Sequence, residues 1–365
     1  MNEMKVLYIN PAEGMRNGGD RVLQRNLSMC KIIVGENNVF YYTAVEAGVA
    51  RIKRHIRHFL WGYYFDMTPS KRREIMCTIG EKGIGVVFLD GSRFGKLAKD
   101  IKKQYPQVRI ITFFHNLETD LSEALIKLTS WPRKLLFYYS YSISSITERL
   151  ACQYSDVIIA LNQRDSDAIQ VRYDREPDFI VPVSLKDEFD SKYLHSIEDE
   201  QFIGLMVGSY FPPNIEGLDW FVNNVFPNVN IRLIVAGNKM DRLRDKYKDI
   251  PNIEIHGYID NLNELYAKAD FIVIPVFDGS GMKVKTAEAF EYGKFVIAGP
   301  EAMTGYEYSS KEAVVCKTAQ DFIDAISAFK RPEKWNGFLV SSRNLFLSNY
   351  SYNHSLEIFK RAFEM

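Results

Sequence analysis

Short apolar runs rich in valine, isoleucine and phenylalanine recur along the chain at 4–9, 39–43, 85–89, 109–114, 157–161 and 179–183. Longer stretches with helical spacing of apolar positions lie among them, at 19–34, 94–104, 133–153 and 164–172. Unbroken apolar runs of this length fit strands buried on both faces, and their alternation with helices predicts a parallel sheet covered by helices. A polar, acid-rich segment, DSKYLHSIEDEQ at 190–201, interrupts the pattern. It restarts with strand-like runs at 202–208, 231–236, 253–257, 271–275, 295–298 and 313–316. The expectation is two α/β domains, over 1–189 and 202–349, with a ligand cleft between them at the carboxyl ends of the strands. The last segment, 350–365, reads as a helix with Leu356, Phe359 and Phe363 on one face, able to pack back on either domain.

Composition narrows this picture without redirecting it. At 365 residues the chain exceeds what one core usually serves. Its formal charge is zero, but Lys plus Arg outnumber Asp plus Glu by 26 to 20 up to Leu185, and the ratio reverses to 20 against 26 beyond it. A basic first half and an acidic second fit unlike domains and an anionic ligand or membrane surface, not general nucleic-acid binding. The start, MNEMKVLYIN, runs straight into a strand and does not read as a signal peptide, and no apolar run reaches the roughly 20 residues that span a bilayer. Cys30, Cys77, Cys152 and Cys316 are too scattered for a metal knuckle or a redox pair, so reduced thiols in a cytoplasmic protein are expected.

The stretch PVFDGSGMKVKTAEAFEYGKFVIAG at 275–299 carries the most chemistry. It links two buried strands through a glycine loop and a helix. Gly279 and Gly281 permit a sharp turn and close backbone approach, and the amides of Ser280, Gly281, Met282 and the helix start attract an anion. Lys285 and Glu288 share a helical face, so the lysine can meet a phosphate while the glutamate accepts from ribose hydroxyls. A solvated ion pair is the alternative for the same two residues. Their combination with the loop fits a nucleoside diphosphate.

Other segments bring polar groups to strand ends. Gly18 and Gly19 precede an amphipathic helix and either approach a ligand or form a plain turn. In ITFFHNLETDL at 111–121, a buried strand delivers His115, Asn116 and Glu118 together; Asn116 is otherwise a helix cap. After the strand at 202–208, Ser209 and Asn214 either contact donor phosphates or, for Asn214, cap the helix near Ile215. Gly257 and Tyr258 follow a strand end where a base could be recognised. The segment ARIKRHIRHFLWGYYF at 50–65 is either a peripheral membrane contact or a solvated helix face.

In order and spacing, GGDRVLQRNL at 18–27, HNLETD at 115–120, DVIIALNQRD at 156–165, VGSYFPPNIEGLDWF at 207–221, HGYIDNLNELYAKAD at 256–270 and GSGMKVKTAEAFEYGKFVIA at 279–298 resemble the retaining glycosyltransferases of family 4, within the group 1 glycosyl transferases. The resemblance implies the GT-B fold, two Rossmann-like domains facing across a cleft, with the acceptor on the first and the nucleotide sugar on the second. It implies Glu288 on the ribose, Lys283 or Lys285 near the diphosphate, Gly257 and Tyr258 along the base, and His115 by the donor sugar, approached by Gly18 and Gly19. It further implies no metal and no cofactor, and retention of anomeric configuration. Two departures stand out. The family's paired glutamates lie eight positions apart, yet eight before Glu288 stands Ser280, with Asp278 two residues earlier as a partial substitute. The turn after Gly208 also lacks the basic residues that many members place on the phosphates, leaving that work to Lys283 and Lys285.

The expected activity is sugar transfer from a nucleotide diphosphate to a hydroxyl of a surface glycan, lipid-linked oligosaccharide or glycoprotein, at the inner face of the membrane or in the cytoplasm. The missing glutamate keeps open a non-catalytic GT-B partner of another transferase. A nucleotide-sugar epimerase on the same fold is the third reading.

Overall fold

A computed structural model describes residues 4–12, 18–45, 67–132, 134–194, 200–279, 281–331 and 335–365. The basic aromatic segment 50–65 and Ser280 lie outside the described residues. Met1–Pro182 together with Leu356–Met365 form one compact unit, and Val183–Ser355 form the other.

The first unit is built on β1 (Val6–Ala12), β2 (Val39–Val45), β3 (Val86–Leu89), β4 (Arg109–Phe114), β5 (Val157–Ala160) and β6 (Phe179–Ile180). They form one parallel sheet in the order β2-β1-β3-β4-β5-β6. Its described helices are α1 (Gly18–Val34), α2 (Pro69–Lys82), α3 (Gly95–Gln104), α4 (Glu118–Leu128), α5 (Lys134–Tyr154) and α6 (Gln163–Tyr173). All four residues of β3 are buried, as a strand covered on both faces requires.

The second unit repeats the plan. Its strands β7 (Phe202–Val207), β8 (Ile231–Ala236), β9 (Ile253–His256), β10 (Phe271–Ile274), β11 (Phe295–Ala298) and β12 (Ala313–Val315) are parallel in the order β12-β11-β10-β7-β8-β9. Helices α7 (Pro212–Asn224), α8 (Leu262–Lys268), α9 (Val284–Glu291), α10 (Ala319–Ala328) and α11 (Val340–Leu345) accompany them. Pro212 and Pro213 open α7, where a missing amide hydrogen costs no helix bond. A Cβ on Gly217 would stand 2.3 Å from the Pro275 carbonyl oxygen, so only glycine lets α7 lie this close to the exit of β10.

The final helix, α12 (Tyr352–Glu364), ends in the first unit. Its Phe359 ring stacks 5.7 Å from Phe88, and Phe363 lies 6.2 Å from the same ring. Arg109 donates to the carbonyls of Phe363 at 2.6 Å and Ala362 at 2.5 Å. The segments on which the chain leaves and re-enters the first unit run side by side: the Leu185 amide donates to Tyr350 and the Tyr352 amide to Leu185.

Candidate functional site

In the second sheet the chain runs from β7 outward through β8 to β9, and β10 then joins the other side of β7. Loops leaving β7 and β10 therefore part at their carboxyl ends, which is where an open α/β sheet forms a crevice. Two side chains from the helices that follow those loops meet there. Lys285 Nζ, in the first turn of α9, donates to Asn214 Oδ1 at 2.6 Å, while Asn214 Nδ2 donates to the Ser209 carbonyl at 2.9 Å. Asn214 is thus not the cap of α7; that position belongs to Phe211, and the Asn214 side chain ties the turn after β7 to the lysine.

The start of α9 is preorganised for an anion. Lys283 is its capping residue, and its side chain makes no capping bond, so no cap side chain offsets the partial positive charge of the helix start. Gly281 sits at φ 65°, a left-handed conformation that glycine adopts without strain. Lys283 Nζ is drawn back onto the loop, 2.9 Å from the Gly281 carbonyl and 2.9 Å from Glu301, which follows β11. Lys285 carries no such carboxylate bond. Burial, reinforced by the neighbouring Lys283 charge and opposed by Glu288, pushes its ammonium down to about 8.

One turn further on, Glu288 is only 5% exposed. Tyr266, buried in α8, donates its hydroxyl to Glu288 Oε2 at 3.2 Å and stacks on Tyr292 with ring centroids 4.2 Å apart. Burial, then the Glu288 charge, holds the Tyr266 phenol well above its ordinary range, so it remains a donor. Asp278 is exposed in the loop after β10, and Met282 is buried. Gly257 follows β9 and accepts from the Gly237 amide at 3.1 Å, while Tyr258 beside it is 72% exposed, an open aromatic face near the strand ends.

The first unit has a cluster of its own at the same kind of position. β1 is flanked by β2 and β3, so the connection order reverses beside it. His115, just beyond β4, places Nε2 2.7 Å from Asp90 Oδ1, at the end of β3. Asp90 is fully buried and also accepts from Asn26 at 2.9 Å and from the Tyr8 hydroxyl. A carboxylate facing Nε2 favours the imidazole proton on that nitrogen and leaves Nδ1 as the acceptor of the ring. Gly18 and Gly19 are the first residues of α1.

Asn116 and Glu118 interact with one another at 3.1 Å, and Glu118 pairs with Arg93. Asn116 is not the cap of α4. The buried Glu148 on α5 takes that work, accepting from the Glu118 amide at 2.6 Å and the Thr119 hydroxyl at 2.5 Å. The partners Asp90, Glu148, Tyr266 and Glu301 were not singled out from the sequence; of these, Asp90 alone carried a signal, as an acid closing the apolar run VVFL. Among the described residues no group of three or more His, Cys, Asp or Glu side chains could hold a metal ion.

Residues 201–330 match the family model for glycosyl transferases group 1. An uncharacterized 44.6 kDa protein in the cps region of Klebsiella pneumoniae is 27% identical over 132 residues, covering 32% of this chain and 33% of that protein. The chain thus matches about a third of the length of this curated relative. Among solved structures, sucrose-phosphate synthase from Thermosynechococcus elongatus superposes with a TM-score of 0.69 at 13% identity, covering 99% of this chain and 98% of that one. Anabaena HepE in complex with UDP-glucose gives 0.67 at 11% identity, covering 99% of each chain. The apo lipopolysaccharide outer core galactosyltransferase WaaB gives 0.66 at 12%, again covering 99% of each. Over residues 201–330 this chain is similar to the group 1 glycosyltransferases, and its two Rossmann-like units have the GT-B architecture.

Proposed function

We propose that this protein transfers a glycosyl group from a nucleoside-diphosphate sugar to a hydroxyl of a glycan, a lipid-linked oligosaccharide or a protein. The observation that carries the reading is the meeting of Lys285 and Asn214 across the β7–β10 crevice, at the uncapped start of α9. A desolvated ammonium beside a helix start is a site for concentrated negative charge.

In this reading the diphosphate lies against Lys285 and the first amides of α9, and Glu288, held by Tyr266, accepts hydrogen bonds from the ribose. Tyr258 offers its face to the base. As the bond between the anomeric carbon and the phosphate oxygen breaks, negative charge grows on the leaving diphosphate, where Lys285 and the helix start stabilise it. The acceptor oxygen bonds to the anomeric carbon from the face the nucleotide leaves, and its proton passes to the departing phosphate oxygen, giving retention. His115, fixed by Asp90, serves the donor sugar; Asn116 and Glu118 belong to the acceptor side. Lys283 joins the phosphate contacts if Glu301 releases it. Asp278 takes part of the sugar-contacting role that Ser280 leaves open. No metal is required, and the protein works in the cytoplasm.

Calorimetric titration with UDP, GDP, ADP and TDP tests the site, UDP first because HepE is described with UDP and with UDP-glucose. One diphosphate should bind, and Lys285→Ala should abolish it. Slow release of nucleotide from the matching sugar donor, lost in Glu288→Ala, separates a transferase from a non-catalytic partner. Deuterium entering the sugar without any acceptor would identify an epimerase instead.

A further inference from the structure

In the first sheet the order of connection reverses beside β1, and near the carboxyl end of that strand stands Asn10. Its side chain is only 6% exposed, yet the two ends of its amide are treated differently. Nδ2 donates to the Tyr41 hydroxyl on β2 at 2.9 Å, whereas no donor among the described residues reaches Oδ1. A buried amide oxygen without a donor is destabilising, and folded chains keep few of them unless a ligand or an ordered water supplies the hydrogen.

The surroundings of Asn10 are fixed. The Tyr41 ring stacks on the fully buried Tyr8 with centroids 6.1 Å apart, and Tyr8 stacks in turn on Phe88 at 5.2 Å. The Tyr8 hydroxyl donates to Asp90, the same carboxylate that holds His115. One network thus positions Tyr41 and orients His115, whose strand lies two places from β1, about 10 Å at the usual spacing. Because β2 is an edge strand, Tyr41 still has 41% of its surface exposed.

An oxygen that only accepts, beside a partly open aromatic ring, selects its ligand by chemistry. Phosphate and carboxylate oxygens bring no hydrogen and would set like partial charges together. A hydroxyl, or the N–H of an acylamino group, supplies the missing donor. The C–H face of a pyranose ring is apolar and packs on a tyrosine as other apolar surface does. Both requirements are met by a sugar.

We propose that Asn10 and Tyr41 form a sugar subsite in the first unit, in which a hydroxyl or acylamino N–H donates to Asn10 Oδ1 and the ring lies against Tyr41. Reading this sugar as part of the acceptor rests on the transferase function proposed above, and it narrows the acceptor to a carbohydrate.

Saturation-transfer NMR on the full-length protein, with methyl glycosides of glucose, galactose, mannose and N-acetylglucosamine as probes, tests the proposal. One glycoside should bind, and removing a single hydroxyl, or the acylamino group, should weaken it at least about tenfold. Asn10→Leu should weaken the intact glycoside by a similar factor and erase its advantage over the deoxy form. This variant loses an unpaired buried acceptor and should melt no lower than the parent. Tyr41→Leu, at the more open position, should weaken binding at least about fivefold and gives an independent comparison. Both variants should bind a nucleoside diphosphate as the parent does, since Lys285 lies in the second unit. A parent that binds the glycoside but no diphosphate would overturn the transferase reading and leave the subsite standing. A parent that binds a diphosphate but none of the glycosides would overturn the subsite alone. So would equal binding of the glycoside and all its deoxy forms, unchanged affinity in both variants, or uridine or adenosine binding that both variants abolish.

Discussion

Replacing Lys285 with methionine should make the protein more stable and, at the same time, a much weaker binder of its nucleotide. The side chain of Lys285 is pushed down to about 8 from an ordinary 10.5, which corresponds to roughly 3 kcal/mol spent on keeping it charged in the folded chain at neutral pH. Methionine removes that penalty but leaves Asn214 Oδ1 without its donor, a loss of about 1 kcal/mol. A net gain of about 1–2 kcal/mol should appear in denaturant titrations at pH 7. The sign follows from proton counts. Between pH 8 and 10.5 the unfolded lysine still holds a proton that the folded one has lost, so the parent should gain stability as pH rises through that window and the methionine variant should not. Binding runs the other way. A diphosphate restores the charge, so affinity should be full below pH 8, fall as pH rises above it, and be accompanied by proton uptake near pH 8, measured by calorimetry in buffers of different ionisation enthalpy. A charge-assisted contact of about 2–3 kcal/mol makes the expected loss in Lys285→Met about 30–150-fold. Unchanged nucleotide affinity in that variant, or affinity flat across pH 7–9, would refute the assignment of Lys285 to phosphate.

Three further outcomes are expected. Glu288→Ala should reduce nucleoside-diphosphate affinity by about tenfold or more, with a smaller loss in Tyr266→Phe, because the phenol only orients the carboxylate; titration against the nucleoside diphosphate and its 2′-deoxy form locates the loss at the ribose. Asp90→Asn should cost about 1–3 kcal/mol in denaturant unfolding and lower turnover, since His115 loses the acceptor that orients its ring. Gly217→Ala should cost more than about 2 kcal/mol, read as a lower melting temperature, because its methyl cannot coexist with the Pro275 carbonyl 2.3 Å away.

What the sequence disclosed and what it withheld follow from the range of the forces involved. FIVI at 271–274 and VVFL at 86–89 are recognisable as strands because double-faced burial removes polar alternation, leaving an unambiguous local signal. The glycine loop and Lys285 were legible for the same reason: their spacing is local. Pairing partners were not. Glu301 reaches Lys283 across 18 residues and the whole of β11, and Asp90 reaches His115 across 25 residues from a neighbouring strand. Asn116 and Asn214 show the same limit: either could cap a helix by sequence, but Glu148 from α5 captures the α4 start, and Lys285 recruits Asn214. Capping propensity is worth about 1 kcal/mol, less than a buried charge gains by finding a partner, so tertiary context decides such positions.

The return of Leu356–Met365 to the first unit has a consequence for how the molecule is made. The rings of Phe88 and Phe113 are complete features of the nascent chain long before Phe359 and Phe363 leave the ribosome, yet they pack against them. Those two phenylalanines each contribute about 1.5–3 kcal/mol of burial, a large share of what holds a domain together. The amino-terminal half therefore has to wait, partly open, until Phe359 and Phe363 have been made, while residues 183–355 can close without it. A ribosome that stalls just after Ser355 would release a protein with its second unit finished and its first unit unsealed.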